Sequence, residues 1–214
     1  TTTCTITNND QPGTLIVTKV LPNDGGSTAT PNNFSFTVNA GTPTAFEADG
    51  SNSLSVNAGT YTIAEVGAPF VGYTTTYGGD CTGGVVTVGN GQTKTCVITN
   101  DDIAPKLTVT KSITNNNGGT KTLASQFSFF VDLQEVFSGI QNAFFPGSHT
   151  VSEQNNTGYA FTFGGDCPGG LVSLALGDVK NCKYPFSHTP KFMRRGNSET
   201  PMQRSSMQWC ILIS

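Results

Sequence analysis

Residues 58–65 read Ala58-Gly59-Thr60-Tyr61-Thr62-Ile63-Ala64-Glu65, and residues 146–153 read Pro146-Gly147-Ser148-His149-Thr150-Val151-Ser152-Glu153. In the first stretch Tyr61 and Ile63 alternate with Thr60 and Thr62, the period of two that marks a half-buried strand. Its return is one of a series. Gly13-Thr14-Leu15-Ile16-Val17-Thr18-Lys19 recurs as Lys106-Leu107-Thr108-Val109-Thr110-Lys111. Asn23-Asp24-Gly25-Gly26 recurs as Asn116-Asn117-Gly118-Gly119, and Phe34-Ser35-Phe36 as Phe127-Ser128-Phe129. Gly72-Tyr73 recurs as Gly158-Tyr159, and Gly78-Gly79-Asp80-Cys81 as Gly164-Gly165-Asp166-Cys167. In both copies a second cysteine falls 15 positions later, at Cys96 and Cys182. Landmarks that return in one order define a tandem repeat, with copies at residues 12–100 and 106–182. Thr3-Cys4-Thr5-Ile6-Thr7-Asn8-Asn9-Asp10 repeats the pattern of residues 95–102 and reads as the last strand of a preceding repeat.

Each copy reads as short strands. Leu15 and Val17 alternate with polar neighbours, as do Phe34, Phe36 and Val38. Gly-Gly, Asn-Gly and Pro-Asn turns punctuate them at short intervals, which predicts antiparallel strands in a sandwich or barrel. Asn90-Gly91, between Val85-Val86-Thr87-Val88 and Thr95-Cys96-Val97-Ile98, predicts a hairpin. The expected layout is an all-β chain. Residues 1–10 form a last strand, 11–103 a first sandwich, 104–186 a second with an atypical last strand, and 187–214 a tail of unlike composition. The spacer Asp101-Asp102-Ile103-Ala104-Pro105 is short and stiffened by proline, which favours a rod of repeats.

Composition narrows the function. Of 214 residues 12% are charged, about half the usual 25%; Thr, Asn, Ser and Gly fill the gap. Scarce helix formers argue against a helical bundle or coiled coil. A net charge of −3 gives no footprint for nucleic acid. The apolar runs are far shorter than the roughly 20 residues a bilayer requires, so no membrane insertion is expected.

The repeated spacing predicts disulfides Cys81–Cys96 and Cys167–Cys182, each tying the strands of one hairpin. Closing such a loop contributes about 3 kcal/mol in the chain-entropy model, and the pairing implies an oxidising, extracellular setting. Zinc is the competing reading. With no Cys-x-x-Cys and only two histidines, the ligand spacing is wrong for it. Cys4 and Cys210 are left over; the partner of Cys4 would lie in the preceding repeat, and the alternative is that the two pair with each other or between chains.

The order Val17-Thr18-Lys19, Gly59 to Glu65, Ala68-Pro69-Phe70-Val71-Gly72-Tyr73 and Val97-Ile98-Thr99-Asn100 resembles the collagen-binding B-type repeats of bacterial surface proteins, the SpaA-like or prealbumin-like family. The resemblance covers residues 12–100 well and 106–182 partly. It implies two tandem inverse immunoglobulin-like (prealbumin-like) β-sandwich domains plus an irregular C-terminal tail. It also implies a place in stalks, pili or adhesins at the cell surface. Many members form an isopeptide bond between a lysine on the first strand and an asparagine on the last, assisted by a glutamate. The matching residues are Lys19, Asn100 and Glu65. Burial disfavours a lysine cation and a carboxylate anion alike. A dry core therefore selects a nucleophilic amine and a proton-holding carboxyl. The bland alternative stands beside this: Lys19 and Glu65 on water-facing positions and Asn100 opening a turn. In the second copy Lys111 and Glu153 match, but Phe186 takes the place of Asn100, so no isopeptide bond is expected there.

Other chemistries find little support. His149 and His188 have no nucleophile context, and no glycine-rich phosphate loop precedes a helix. Asp24, Asp80, Asp101 and Asp102 could bind calcium, but no full ligand loop exists. Asn33-Phe34-Ser35 and Asn155-Asn156-Thr157 match the glycosylation sequon. No cofactor is expected. All Arg, all Met and the sole Trp lie in residues 183–214. Lys183-Tyr184-Pro185-Phe186 stands where a Val-Ile-Thr-Asn strand is expected. If that segment makes no strand, repeat two has an open sheet edge, which residues 2–9 of another copy could fill in a head-to-tail filament. The expected function is a structural stalk or fibre segment, with neighbouring repeats as partners and self-association into a fibre or homo-oligomer. The alternative is an adhesin module for glycan or host protein, with Tyr61, Tyr73 and Tyr77 as contacts and a ligand the sequence does not identify.

Overall fold

The computed structural model describes residues 2–154 and 156–184, and the backbone alone of 186–187. The first repeat holds eight strands: β1 (Gly13–Val20), β2 (Ser35–Val38), β3 (Thr44–Ala45), β4 (Ser51–Val56), β5 (Gly59–Glu65), β6 (Tyr73–Gly79), β7 (Val85–Val88) and β8 (Thr93–Asp102). They form two sheets, ordered β4-β1-β8-β6 and β3-β2-β5-β7. Alternation turns one set of residues inward from each sheet. Leu15, Val17, Phe34, Phe36, Phe46, Ile63, Val86, Val88, Cys96 and Ile98 are buried together as one core.

The second repeat retraces the first. Its strands are β9 (Lys106–Lys111), β10 (Phe129–Val131), β11 (Gln134–Val136), β12 (Gln141–Ala143), β13 (Gly147–Glu153), β14 (Ala160–Phe161), β15 (Gly164–Gly165), β16 (Leu171–Leu174), β17 (Val179–Tyr184) and β18 (Phe186–Ser187). Its sheets run β12-β9-β17-β15 and β11-β10-β13-β16, the same order as in repeat one. A separate core of Leu107, Val109, Phe127, Phe129, Val131, Val136, Val151, Val172, Leu174 and Tyr184 fills it.

In each repeat the first strand lies beside the last, and the two are parallel. Val17 faces Cys96 and Lys19 faces Ile98; Val109 faces Cys182 and Lys111 faces Tyr184. Parallel neighbours point the same way, so the chain enters a repeat at one end and leaves at the other. The expectation of an open edge in repeat two is corrected here. Lys183 and Tyr184 continue β17 against β9, and Phe186 and Ser187 pair with Phe161 and Ala160. The lane that a strand from another copy would have filled is occupied. Residues 188–214, including His188, Trp209 and Cys210, lie outside the described residues.

The expected hairpin at Asn90-Gly91 is also corrected. The turn forms, with Gln92 N donating to Gly89 O at 3.0 Å, but β7 pairs with β5 in one sheet while β8 lies in the other. It is a corner between sheets. Alternation cannot separate the two cases, because both faces of a sandwich show the same period. Cys81–Cys96 and Cys167–Cys182 are joined. Cys81 follows β6, whose Gly79 pairs with Cys96 on β8, so the bridge closes a loop that crosses to the opposite sheet and back. The Gly-Gly-Asp-Cys motif builds its corner. Gly79 has φ +69°, and a Cβ there would come within 2.6 Å of Thr95 O. Gly165, at φ +67°, has the same relation to Asn181 O at 2.3 Å. The aspartate then caps the facing strand: Thr95 N donates to Asp80 at 2.8 Å and Asn181 N to Asp166 at 2.7 Å.

Between repeats the linker is shorter than its composition suggested, because Asp101 and Asp102 belong to β8. Both repeats hold it. Ile103 N donates to Gly72 O at 2.8 Å, Gly177 N donates to Ile103 O at 2.7 Å, and Phe144 N donates to Pro105 O at 3.0 Å. The turn carboxylates make the chain acid-sensitive. Hydrogen bonds from Thr95 N, Thr150 N and Ala175 N hold Asp80, Asp132 and Asp178 below their ordinary range. Lys94, His149 and Lys180 add to this. Their folded values lie below the unfolded 3.8, so their contribution is present above that pH and is lost as pH falls through the depressed values. Thermal melts from neutral to strongly acidic pH are expected to lose stability below the aspartate range, and D80N is expected to flatten part of that loss.

Candidate functional site

Lys19, Glu65 and Asn100 come from three strands and meet inside the first repeat. Leu15, Val17 and Lys19 share the inward face of β1, and Cys96, Ile98 and Asn100 that of β8. Since Lys19 is level with Ile98, Asn100 lies one inward step further along the adjacent strand. Glu65 is the last inward residue of β5 in the facing sheet. Lys19 and Glu65 side chains are fully inaccessible to solvent, and Asn100 is 0% exposed.

Lys19 Nζ contacts Glu65 Oε1 directly, and Asn100 Nδ2 donates to the same oxygen at 3.1 Å. One carboxylate oxygen thus touches both the amine and the carboxamide. The Phe34 ring centre is 4.5 Å from Lys19 Nζ and that of Phe46 5.9 Å. Burial pushes the Lys19 ammonium below its ordinary value, with Glu65 opposing. The water-facing alternative for Lys19, Glu65 and Asn100 does not describe this structure. Among the described residues Glu65 Oε2, Asn100 Oδ1 and Thr75 Oγ1 are buried with no hydrogen-bond partner. Unsatisfied buried polar atoms are costly; three of the four among the described residues lie around this corner, and the fourth is the Tyr184 hydroxyl of repeat two.

The second repeat repeats half of this. Lys111 Nζ lies 2.7 Å from Glu153 Oε2, with Phe127 at 4.5 Å. The asparagine is missing. Phe186 stands at its register, facing Phe161 as Asn100 faces Thr75. Tyr184, completely buried, packs 5.1 Å from Phe163 and 6.1 Å from Phe161 between ring centres. An aromatic wall thus replaces the polar corner. Burial, then Glu153, raises the Tyr184 phenol, which stays protonated. Sequence reading missed both Thr75 and Tyr184. The signal available for them was the exchange of Thr75 for Phe161 and Ile98 for Tyr184 between copies.

Most of the remaining candidates have partners within the fold. Tyr61 donates to Asn57 O at 2.7 Å, Tyr73 bonds Ser27 Oγ at 2.5 Å, and Tyr77 accepts from Glu65 N at 3.2 Å. Their hydroxyls are engaged, and their rings border the core. Asp24, Asp101 and Asp102 converge at the linker, but Asp102 accepts from Gly25 N at 2.8 Å and Ser27 N at 2.6 Å. Asp80 lies apart, bonded to Lys94 at 3.1 Å. His149 bridges Asp132 at 2.8 Å and Phe145 O at 2.9 Å. Asn33 Oδ1 caps a turn at Thr30 N; Asn155 is outside the described residues. Cys4 is exposed and free. No described helix is long and apolar enough to cross a membrane, which does not bear on β-barrels.

Two parallel terminal strands, two four-stranded sheets and a buried lysine between them define a prealbumin-like sandwich. Residues 10–98, which take in most of the first repeat, match the family model of the prealbumin-like fold domain. Among solved structures, the chain is 18% identical to the Bacillus anthracis TIE protein, with a TM-score of 0.46 over 81% of this chain and 34% of that one. The pilus adhesin SpaC from Lactobacillus rhamnosus GG is 12% identical, TM-score 0.35, over 85% and 29%. The major pilin T-13 from Streptococcus pyogenes is 12% identical, TM-score 0.31, over 81% and 95%. The chain thus spans about a third of the TIE structure and less of SpaC. No curated protein matches it.

Removing one partner of a buried ion pair strands the other charge, at about 3–5 kcal/mol. K111M is expected to destabilise the chain by that order in urea unfolding, and K111M/E153L to recover much of the loss.

Proposed function

We propose that the chain is a segment of an extracellular stalk or fibre, built of two sandwich domains at residues 11–103 and 104–186. Lys19 and Asn100 cross-link the first of them. The segments 1–10 and 187–214 fall outside these domains. In this reading the chemistry is one act of maturation, with no separate substrate and no cofactor. The observation that carries it is the contact of Glu65 Oε1 with both Lys19 Nζ and Asn100 Nδ2.

The reaction follows from that contact. Lys19 Nζ attacks Asn100 Cγ, the Nζ–Cγ bond forms, the Cγ–Nδ2 bond breaks, and ammonia leaves. Glu65 takes the proton that Nζ loses and hands it to the departing nitrogen. The fold supplies proximity, and the dry core favours the neutral amine. Repeat two has the lysine and glutamate without the acceptor, so it stays uncross-linked.

The bond would fit a load-bearing role. Tension entering at Gly13 travels along β1 to Lys19, crosses to Asn100 and leaves along β8. The chain between them carries none of it. The disulfides close shorter loops inside the same frame.

Intact mass after reduction is expected to be one ammonia below the sequence mass. A proteolytic map is expected to show one branched peptide holding Lys19 and Asn100. K19A, N100A and E65A are each expected to restore the full mass. A wild-type chain at full mass would overturn the proposal.

A further inference from the structure

We propose that Thr75 is the oxyanion-stabilising hydroxyl of this site, donating to Asn100 Oδ1 during amide transfer; this rests on the cross-linking reading above. Thr75 is directly opposite Asn100 in the antiparallel pairing of β6 with β8. Directly opposed residues on one face carry Cβ atoms about 4.5–5.5 Å apart. Thr75 Oγ1 and Asn100 Oδ1 are both buried, and both lack a partner. A donor and an acceptor are thus placed opposite one another, unused in the resting state.

The reaction gives them a use. When Nζ adds to Cγ, the carbonyl π pair moves onto Oδ1, which becomes an oxyanion. Glu65 is engaged on the nitrogen side, with Lys19 and Asn100 Nδ2, and leaves the oxygen side to another group. Thr75, directly opposite on β6, is the neighbour with an unused hydroxyl to donate. When the Cγ–Nδ2 bond breaks, the π pair returns and the hydroxyl keeps its proton throughout. A donor that meets charge only as it develops stabilises the transition state and not the ground state.

The second repeat agrees with this pairing. Asn100 and Thr75 are replaced together, by Phe186 and Phe161, at the same register. Lys111 and Glu153 stay buried and paired. The threonine thus follows the asparagine, and not the ion pair.

The test is cell-free synthesis of the full chain under oxidising conditions, with cross-linking followed by time-resolved intact mass. T75V keeps the shape and removes the donor. It is expected to slow ammonia loss about a hundredfold, the scale of losing one oxyanion donor, while T75S stays near wild type. In a K19M background, which cannot cross-link, T75V is expected to be at least as stable as Thr75 in urea, since an orphaned hydroxyl is gone. Wild-type ammonia loss with T75V equally fast overturns the role of Thr75 alone. A slow T75V that is also destabilised in the K19M background overturns it as a folding effect. A wild-type chain that loses no ammonia overturns the cross-link itself, and this inference with it.

Discussion

The parallel pairing of β1 with β8 is the constraint on which the rest of the structure depends. A parallel neighbour cannot be reached by a tight turn. The chain must travel through both sheets before its last strand lies beside its first. That circuit closes the sandwich, sends the chain out at the far end, and brings residues 19 and 100 to adjacent positions on one buried face. Repeat two obeys the same constraint through β9 and β17. Both cores therefore carry a lysine at the end of the first strand and a glutamate across from it.

The polar groups placed there are unfavourable by ordinary packing rules. A buried ion pair is often no better than an apolar pair of equal volume, and three further polar atoms in repeat one are unsatisfied. Repeat two keeps the pair on the same frame with Tyr184, Phe161 and Phe163 packed around it, and there the Tyr184 hydroxyl is the buried group without a partner. The first repeat keeps its polar corner, which the proposed reaction between an amine and a carboxamide would explain.

Much of the fold was legible because strands announce themselves by alternation and because the chain states its pattern twice. Glu65 could be aligned with Glu153, and Lys19 with Lys111, from spacing alone. Their convergence could not be derived from period two, which gives a face but not which sheets face each other; it came from the family resemblance. The same limit produced the mistaken hairpin at Asn90-Gly91. The last strand of repeat two was misread because Pro185 and two aromatics break the Val-Ile-Thr-Asn pattern. Its pairing with β9 and β14 is set by tertiary context that composition does not carry. Thr75 is one of many strand threonines, and only its buried hydroxyl opposite Asn100 distinguishes it.

The account is tested most directly by pulling the oxidised chain from its two ends, one molecule at a time. A bond between Lys19 and Asn100 leaves the first repeat no slack to release. The account predicts a single unfolding extension, from the second repeat, shortened by the loop behind Cys167–Cys182. Two extensions of similar length, one from each repeat, would contradict it.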